Sequence, residues 1–293
     1  MNIWQRLLNI WRCLFSFQFP PSIHSKGKFG MTQTEFEQHV NFMLENTSLL
    51  CQTHYTDCCG FYAFFYCWIH KEPDLFKQFI YALYHYESAR YNGRDYIVRA
   101  EIKAALEKGL RSDPTQDWGI LNKKLPHNAE MLIALMLADT FSFLPFYYEP
   151  YSNEKHFENK AIWAGMSMAS QERLLHSFGF EINSIGNDFI ETNIFPFDDE
   201  ERSLLRASLD QQKKILMLVN SWMMIPGCID PFPANYTPRP DPGFPVNGLV
   251  GTHWIVLLSY SQNNSVFWDY GSPNGRNYAG DLLNCTAGFI VLS

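Results

Sequence analysis

Residues 59–70 read CGFYAFFYCWIH, a segment of helical length that is apolar on nearly every side. A helix of that kind does not lie on a surface; it has to be surrounded by other elements. The expectation is a central helix stopped near Pro73, whose ring removes a helical N–H donor. The residues just before it, 51–58 (CQTHYTDC), are mostly polar and read as a loop. Two adjacent cysteines, Cys58 and Cys59, therefore fall where a polar loop becomes a buried helix. The start of a helix carries unpaired N–H groups and the positive end of the helix dipole, and both favour an anion. A cysteine placed there is a candidate nucleophile.

The remaining pattern divides in two. Thr32 or Thr34 can cap a helix running to about Leu49, with Phe36, Val40, Met43 and Leu44 on one side. Helical spacing continues over 74–111, through Leu75, Phe76, Phe79, Ile80 and Leu83 and then Ile102, Ala105 and Leu106. Pro126 opens a helix over NAEMLIALMLADTF, and another spans about 160–178, closed by Gly179. After that the period changes. KILMLVNSW reads as a buried strand, and 226–245 is a long Pro- and Gly-rich loop of the kind that often carries function. THWIVLLSYSQNNSVFWDYGS reads as a β-hairpin turning at QNNS, and AGFIVLS as a last strand. Helices first and strands last is the order of an α+β domain.

Composition narrows the function classes. The net charge is −7 with no basic run, which argues against a nucleic-acid partner. The seven cysteines are Cys13, Cys51, Cys58, Cys59, Cys67, Cys228 and Cys285. They form no CxxC, and no His pair has HExxH spacing, so neither a disulfide framework nor a metal site is expected, and no cofactor loop is present. Residues 1–19 place Trp4, Leu7, Leu8, Trp11, Leu14 and Phe15 at helical spacing, with Arg6 and Arg12 between them. Three readings of that segment stay open: a helix packed on the domain, a helix on a membrane surface, or an export signal. Residues 20–30 read as a linker, so 1–30 stands apart from a domain at 31–293.

A thiol nucleophile needs a base within hydrogen-bond reach and a group that holds the base in one tautomer. His253 opens the strand WIVLLSY, and Asp269 closes the facing strand VFWDY. A hairpin between them makes the two approximate neighbours, with a carboxylate placed to fix the imidazole. Asn220, in LVNSW, is an alternative orienting amide. His54 and His70 lie too near Cys59 along the chain to approach it from an opposite wall.

The segments QTHYTDCCGFYA, GTHWIVLLSY and VFWDYGSP together resemble the three active-site blocks of the papain-like cysteine peptidases, most of all the bacteriocin-processing branch. The resemblance covers about a quarter of the chain. It implies a papain-like α+β fold in which the nucleophile helix packs on an antiparallel sheet. It implies attack of a thiolate on an amide or thioester carbonyl through an acyl-enzyme. Carried over, Cys59 attacks, His253 shuttles the proton, Asp269 orients His253, and Gln52 supports the oxyanion hole. Gln52 stands six residues before Cys58 and seven before Cys59, and the Asp-Cys step also favours Cys58. Gly60 favours Cys59, as does Ala63, the small residue one turn on, which faces the approaching strand. Tyr270 stands where the family often has Pro after the Asp.

The expected protein is a cysteine hydrolase acting on a peptide or protein substrate, with a helical elaboration at about 72–210. A glutamine deamidase or transglutaminase-like enzyme uses the same residues, and an inactive binding module keeps only the shell. With the basic N-terminal segment, the resemblance leads to the expectation of a secreted effector or toxin acting inside a target cell, the plainer alternative being a cytoplasmic enzyme.

Overall fold

Thr32 starts the first helix, α1 (Gln33–Glu45), with a reciprocal cap: its hydroxyl accepts from Glu35 N–H while the Glu35 carboxylate accepts from Thr32 N–H. The computed structural model describes residues 27–50, 58–107, 128–141, 166–186, 197–220, 253–269, 272 and 274–293. Helix α1 ends four residues before the expected Leu49, and a 3₁₀ turn, Thr47–Leu49, follows it.

The apolar segment forms α2 (Cys59–Lys71), and every residue from Cys59 to Ile69 is buried. Aromatic packing on two sides explains this. Tyr66 stacks on Trp268 at 4.6 Å between ring centroids, while Trp68 meets Phe76, Phe79 and Phe178 at 4.5–5.4 Å. Rings at these separations add specific attraction to the area that they bury. Pro73 does end α2, but it also sits in the first turn of α3 (Pro73–Tyr86), where its missing N–H costs nothing.

The helical reading of 74–111 is corrected in its middle. Helix α3 ends at Tyr86, and a hairpin follows, β1 (Ser88–Tyr91) and β2 (Arg94–Ile97), before α4 (Ala100–Glu107). Asn92 and Gly93 both have positive φ, 47° and 78°, as a tight turn between antiparallel strands requires. The Asn-Gly step outweighed the helical spacing around it. Helix α5 (Asn128–Phe141) matches its expected segment. Helix α6 (Met168–Ser177) is capped by the Ser167 hydroxyl and closed by Gly179 at φ 73°; positions 160–165 of the helix expected there lie outside the described residues.

The order of helices first and strands last is also corrected. Strand β3 (Ile182–Gly186) lies inside the interval expected to be a helical elaboration, and it belongs to the main sheet. Helix α7 (Asp199–Asp210) follows, and then β4 (Ile215–Val219), β5 (His253–Tyr260), β6 (Asn264–Trp268), β7 (Arg276–Ala279) and β8 (Thr286–Leu292). The six-stranded sheet has the order β3-β8-β4-β5-β6-β7, and every pair is antiparallel. The fold class is therefore α+β. Gly186 pairs with Gly288, and a Cβ on Gly186 would stand 2.4 Å from the Gly288 Cα, so the two strands approach there as only glycines allow.

The two faces of the sheet bury different things. Leu218, Trp254, Val256, Trp268 and Ile290 join the core around α2. Met217, Ile255, Leu257, Phe267 and Phe289 join a second core with Leu205 of α7. Burial on both faces explains why β4 and β8 read as unbroken apolar runs rather than alternating ones. Helix α7 is fastened by Arg202, which donates to the Tyr260 hydroxyl and pairs with Asp281.

Candidate active site

The sheet and the helical layer meet at the first residue of α2. Cys58 takes the position before the helix, where its carbonyl accepts from the Phe61 and Tyr62 N–H groups, and its side chain is wholly buried. Cys59 opens the helix and keeps 6% of its exposure. Of the two thiols, Cys59 is the one that acts on the His253 ring, favouring its protonated form.

His253 is the first residue of β5, paired across the sheet with Val219 of β4. Its Nε2–H donates to Asp269 Oδ1 at 2.8 Å. Asp269 lies one residue past the end of β6 rather than within a strand, which corrects the expected strand end. The hairpin turns at Ser261–Asn264, where the Ser261 hydroxyl accepts from Asn264 N–H. A bulge between Leu257 and Ser259 then shifts the register by one residue. The last paired residues are Val256 and Trp268, so His253 and Asp269 meet diagonally beyond the ladder, not face to face.

Both site residues are braced by a neighbouring tryptophan. Trp254 donates its indole N–H to the Met166 carbonyl at 2.8 Å, and Trp268 donates to the Ser48 carbonyl at 2.8 Å. Met166 in turn packs over Gly60, where a Cβ would stand 2.9 Å from its sulfur. The Gln171 side-chain amide donates to the Gly60 carbonyl at 3.2 Å. Through Met166 the start of β5 is tied to the first turn of α2, where a side chain larger than glycine beside Cys59 would press on Met166 and Gln171.

Electrostatically, the imidazole is the unusual group. Burial works against its cationic form. The Asp269 carboxylate, its hydrogen bond and the Cys59 thiol outweigh that and raise His253 from its ordinary 6.5 to about 10. The ring therefore favours its protonated form near neutrality, under the influence of the Asp269 carboxylate and the Cys59 sulfur. Chemically, this arrangement can stabilise a thiolate, return a proton to a leaving group, and keep the ring in one orientation.

Among the remaining expectations, the carboxylate of Asp269, rather than the Asn220 amide, meets Nε2; the Asn220 backbone N–H donates to the Cys285 carbonyl. His70 is engaged elsewhere, its Nδ1 2.6 Å from the Tyr66 carbonyl. Gln52, His54, Cys51, the segment 1–19 and the loop 226–245 lie outside the described residues. No group of His, Cys, Asp and Glu among the described residues could hold a metal ion, and none of the described helices is long and apolar enough to cross a membrane.

Sequence reasoning missed Arg276. It stands on β7 with its Nε 3.2 Å from Asp269 Oδ2, and its side chain is 9% exposed. The contact is an ion pair rather than an aligned hydrogen bond. The segment around it, GSPNGRNYAG, has the composition of a loop, so only the pairing of β7 with β6 reveals the residue.

Comparison with protein-family models, with curated proteins and with solved structures returned no match.

Proposed function

We propose that this chain is a papain-like cysteine hydrolase that opens an amide bond in a peptide or protein through an acyl-enzyme. Cys59 is the nucleophile, His253 the proton shuttle and Asp269 the residue that orients the ring. The observation that carries the reading is that Cys59 acts on the His253 ring while that ring is hydrogen-bonded to Asp269, the three standing at a helix start, a strand start and the residue after a strand. Buried imidazole and carboxylate side chains are costly unless paired, and here the pair interacts with a thiol at a helix N-terminus.

The sequence of steps follows from those positions. The Cys59 thiolate adds to a carbonyl carbon, and the oxygen takes up the negative charge beside the first-turn N–H groups of α2. His253 gives its proton to the leaving amine, and the carbonyl is restored as a thioester. The neutral ring then takes a proton from the incoming nucleophile, which attacks the thioester and releases Cys59. Water as that nucleophile gives hydrolysis. If the opened amide is a glutamine side chain, water gives deamidation and an amine gives transfer.

An activated ester, p-nitrophenyl acetate, tests the first half of the cycle without a known substrate. The reading expects a burst of nitrophenol equal to the enzyme present and an acetyl group on Cys59 by peptide mass spectrometry. Both should be lost in Cys59→Ala and sharply slowed in His253→Ala. A burst that survives Cys59→Ala, or acetylation that moves to another thiol, removes Cys59 from the role. No burst in the wild type leaves the shell as a binding module.

A further inference from the structure

We infer that Arg276 is a positioning residue of this site, holding the Asp269 carboxylate by its second oxygen and balancing the charge of the buried group around His253. The inference rests on the triad reading above.

Asp269 is 1% exposed and sits between two cationic side chains: the imidazole on Oδ1 and the guanidinium on Oδ2. Arg276 comes to that place because β7 pairs with β6, with Arg276 opposite Phe267, two residues before Asp269. A carboxylate hydrogen-bonded at one oxygen and ion-paired at the other resists turning about its Cβ–Cγ bond, which keeps Oδ1 aimed at Nε2. The orientation of the imidazole is held in turn.

Charge counting gives the same assignment. Asp269 and Arg276 cancel. Cys59 and His253 can then exist as a neutral pair or as thiolate and imidazolium, and the group sums to zero in both forms. Without the guanidinium both forms carry one net negative charge in a place nearly closed to water, which is costly. Among the described residues, the titratable groups acting on the ring are Asp269 beyond β6 and Cys59 on α2, while Val219 across the ladder and the next residue, Asn220, carry no charge. Arg276 therefore acts on the ring through Asp269. Removing it leaves the whole carboxylate charge to His253, so the ring keeps its proton to higher pH.

The test uses the full chain and iodoacetamide, with carboxamidomethylation of Cys59 followed by peptide mass spectrometry across pH. Arg276→Met should slow the reaction near neutrality by about tenfold or more and move the alkaline limb of the profile to higher pH. Arg276→Lys, which keeps the charge, should recover most of the rate and restore the limb. Profiles that superimpose on the wild type overturn the inference. So do Met and Lys variants impaired alike with the limb unmoved, since a merely structural role predicts that. If Arg276→Met does not fold, Asp269→Asn is compared with Asp269→Asn/Arg276→Met, which removes both charges and leaves none unpaired. Equal profiles support action through Asp269, and a further change in the double variant contradicts it. His253→Ala is run alongside. If it leaves Cys59 unaffected, the triad reading fails. If it slows Cys59 while Arg276→Met does not, only the Arg276 inference fails.

Discussion

His253 Nε2 and Asp269 Oδ1 stand 2.8 Å apart across sixteen residues of chain that include a turn and a bulge. Replacing Asp269 by Asn keeps an acceptor for the ring and removes the charge that raises it. Asp269→Asn should therefore slow Cys59 alkylation by about tenfold and lower the alkaline limb of its pH profile, and Asp269→Ala should slow it by about a hundredfold. Rates measured across pH check both. An unchanged limb in the Asn variant would show that the carboxylate charge does not act on the ring.

The same pair couples folding to pH. His253 binds its proton more tightly in the folded chain than in the unfolded one. Its contribution to stability is therefore complete below its ordinary 6.5 and is lost as pH rises through about 10. Urea midpoints of wild type and His253→Gln should differ most at the acid end of that window and converge toward its alkaline end. A difference that stays constant across the window contradicts the linkage.

Glu130 gives a second, independent pH effect. It is almost wholly buried on α5, and burial pushes its carboxyl from 4.5 up to about 8. The unfolded chain releases this proton first, so stability should fall as pH rises from 4.5 to about 8. Glu130→Gln should be more stable than wild type at the upper end of that range and nearly equal at the lower end. Parallel curves for the two proteins would contradict this.

Trp268 joins the site to the core. Trp268→Phe removes the hydrogen bond to the Ser48 carbonyl and keeps much of the stack on Tyr66, which should cost about 1 kcal/mol. Trp268→Ala also opens a cavity under α2 and should cost about 3–5 kcal/mol. Denaturant unfolding measures both. Equal losses in the two variants would mean that the ring area contributes nothing beyond the hydrogen bond.

Much of this site was legible in the sequence, for particular reasons. Cys59 stood out because an all-apolar helix begins abruptly after a polar loop, and burial on both sides of α2 accounts for that composition. His253 and Asp269 stood out because a hairpin brings its own ends together. The diagonal offset was not legible, since it depends on a bulge at Leu257–Ser259 that no side chain announces. The β1–β2 hairpin was overlooked although Asn92-Gly93 signalled it, because apolar residues on either side kept helical spacing. β3 and β7 are short edge strands with little apolar alternation, and long-range pairing with β8 and β6 defines them. Arg276 was hidden with β7, because a positioning charge has no local signature until its strand is placed.

The most direct measurement of the central claim is iodoacetamide labelling of the wild type and His253→Ala at about pH 6, read for each cysteine by peptide mass spectrometry. Burial pushes the Cys67 thiol up to about 12 and raises that of Cys285, so both should stay unreacted in the folded chain. The account predicts that Cys59 reacts at least about tenfold faster than Cys58, Cys67 and Cys285, and that His253→Ala abolishes the advantage. Labelling of Cys59 no faster than the others, or unchanged by loss of His253, would contradict it.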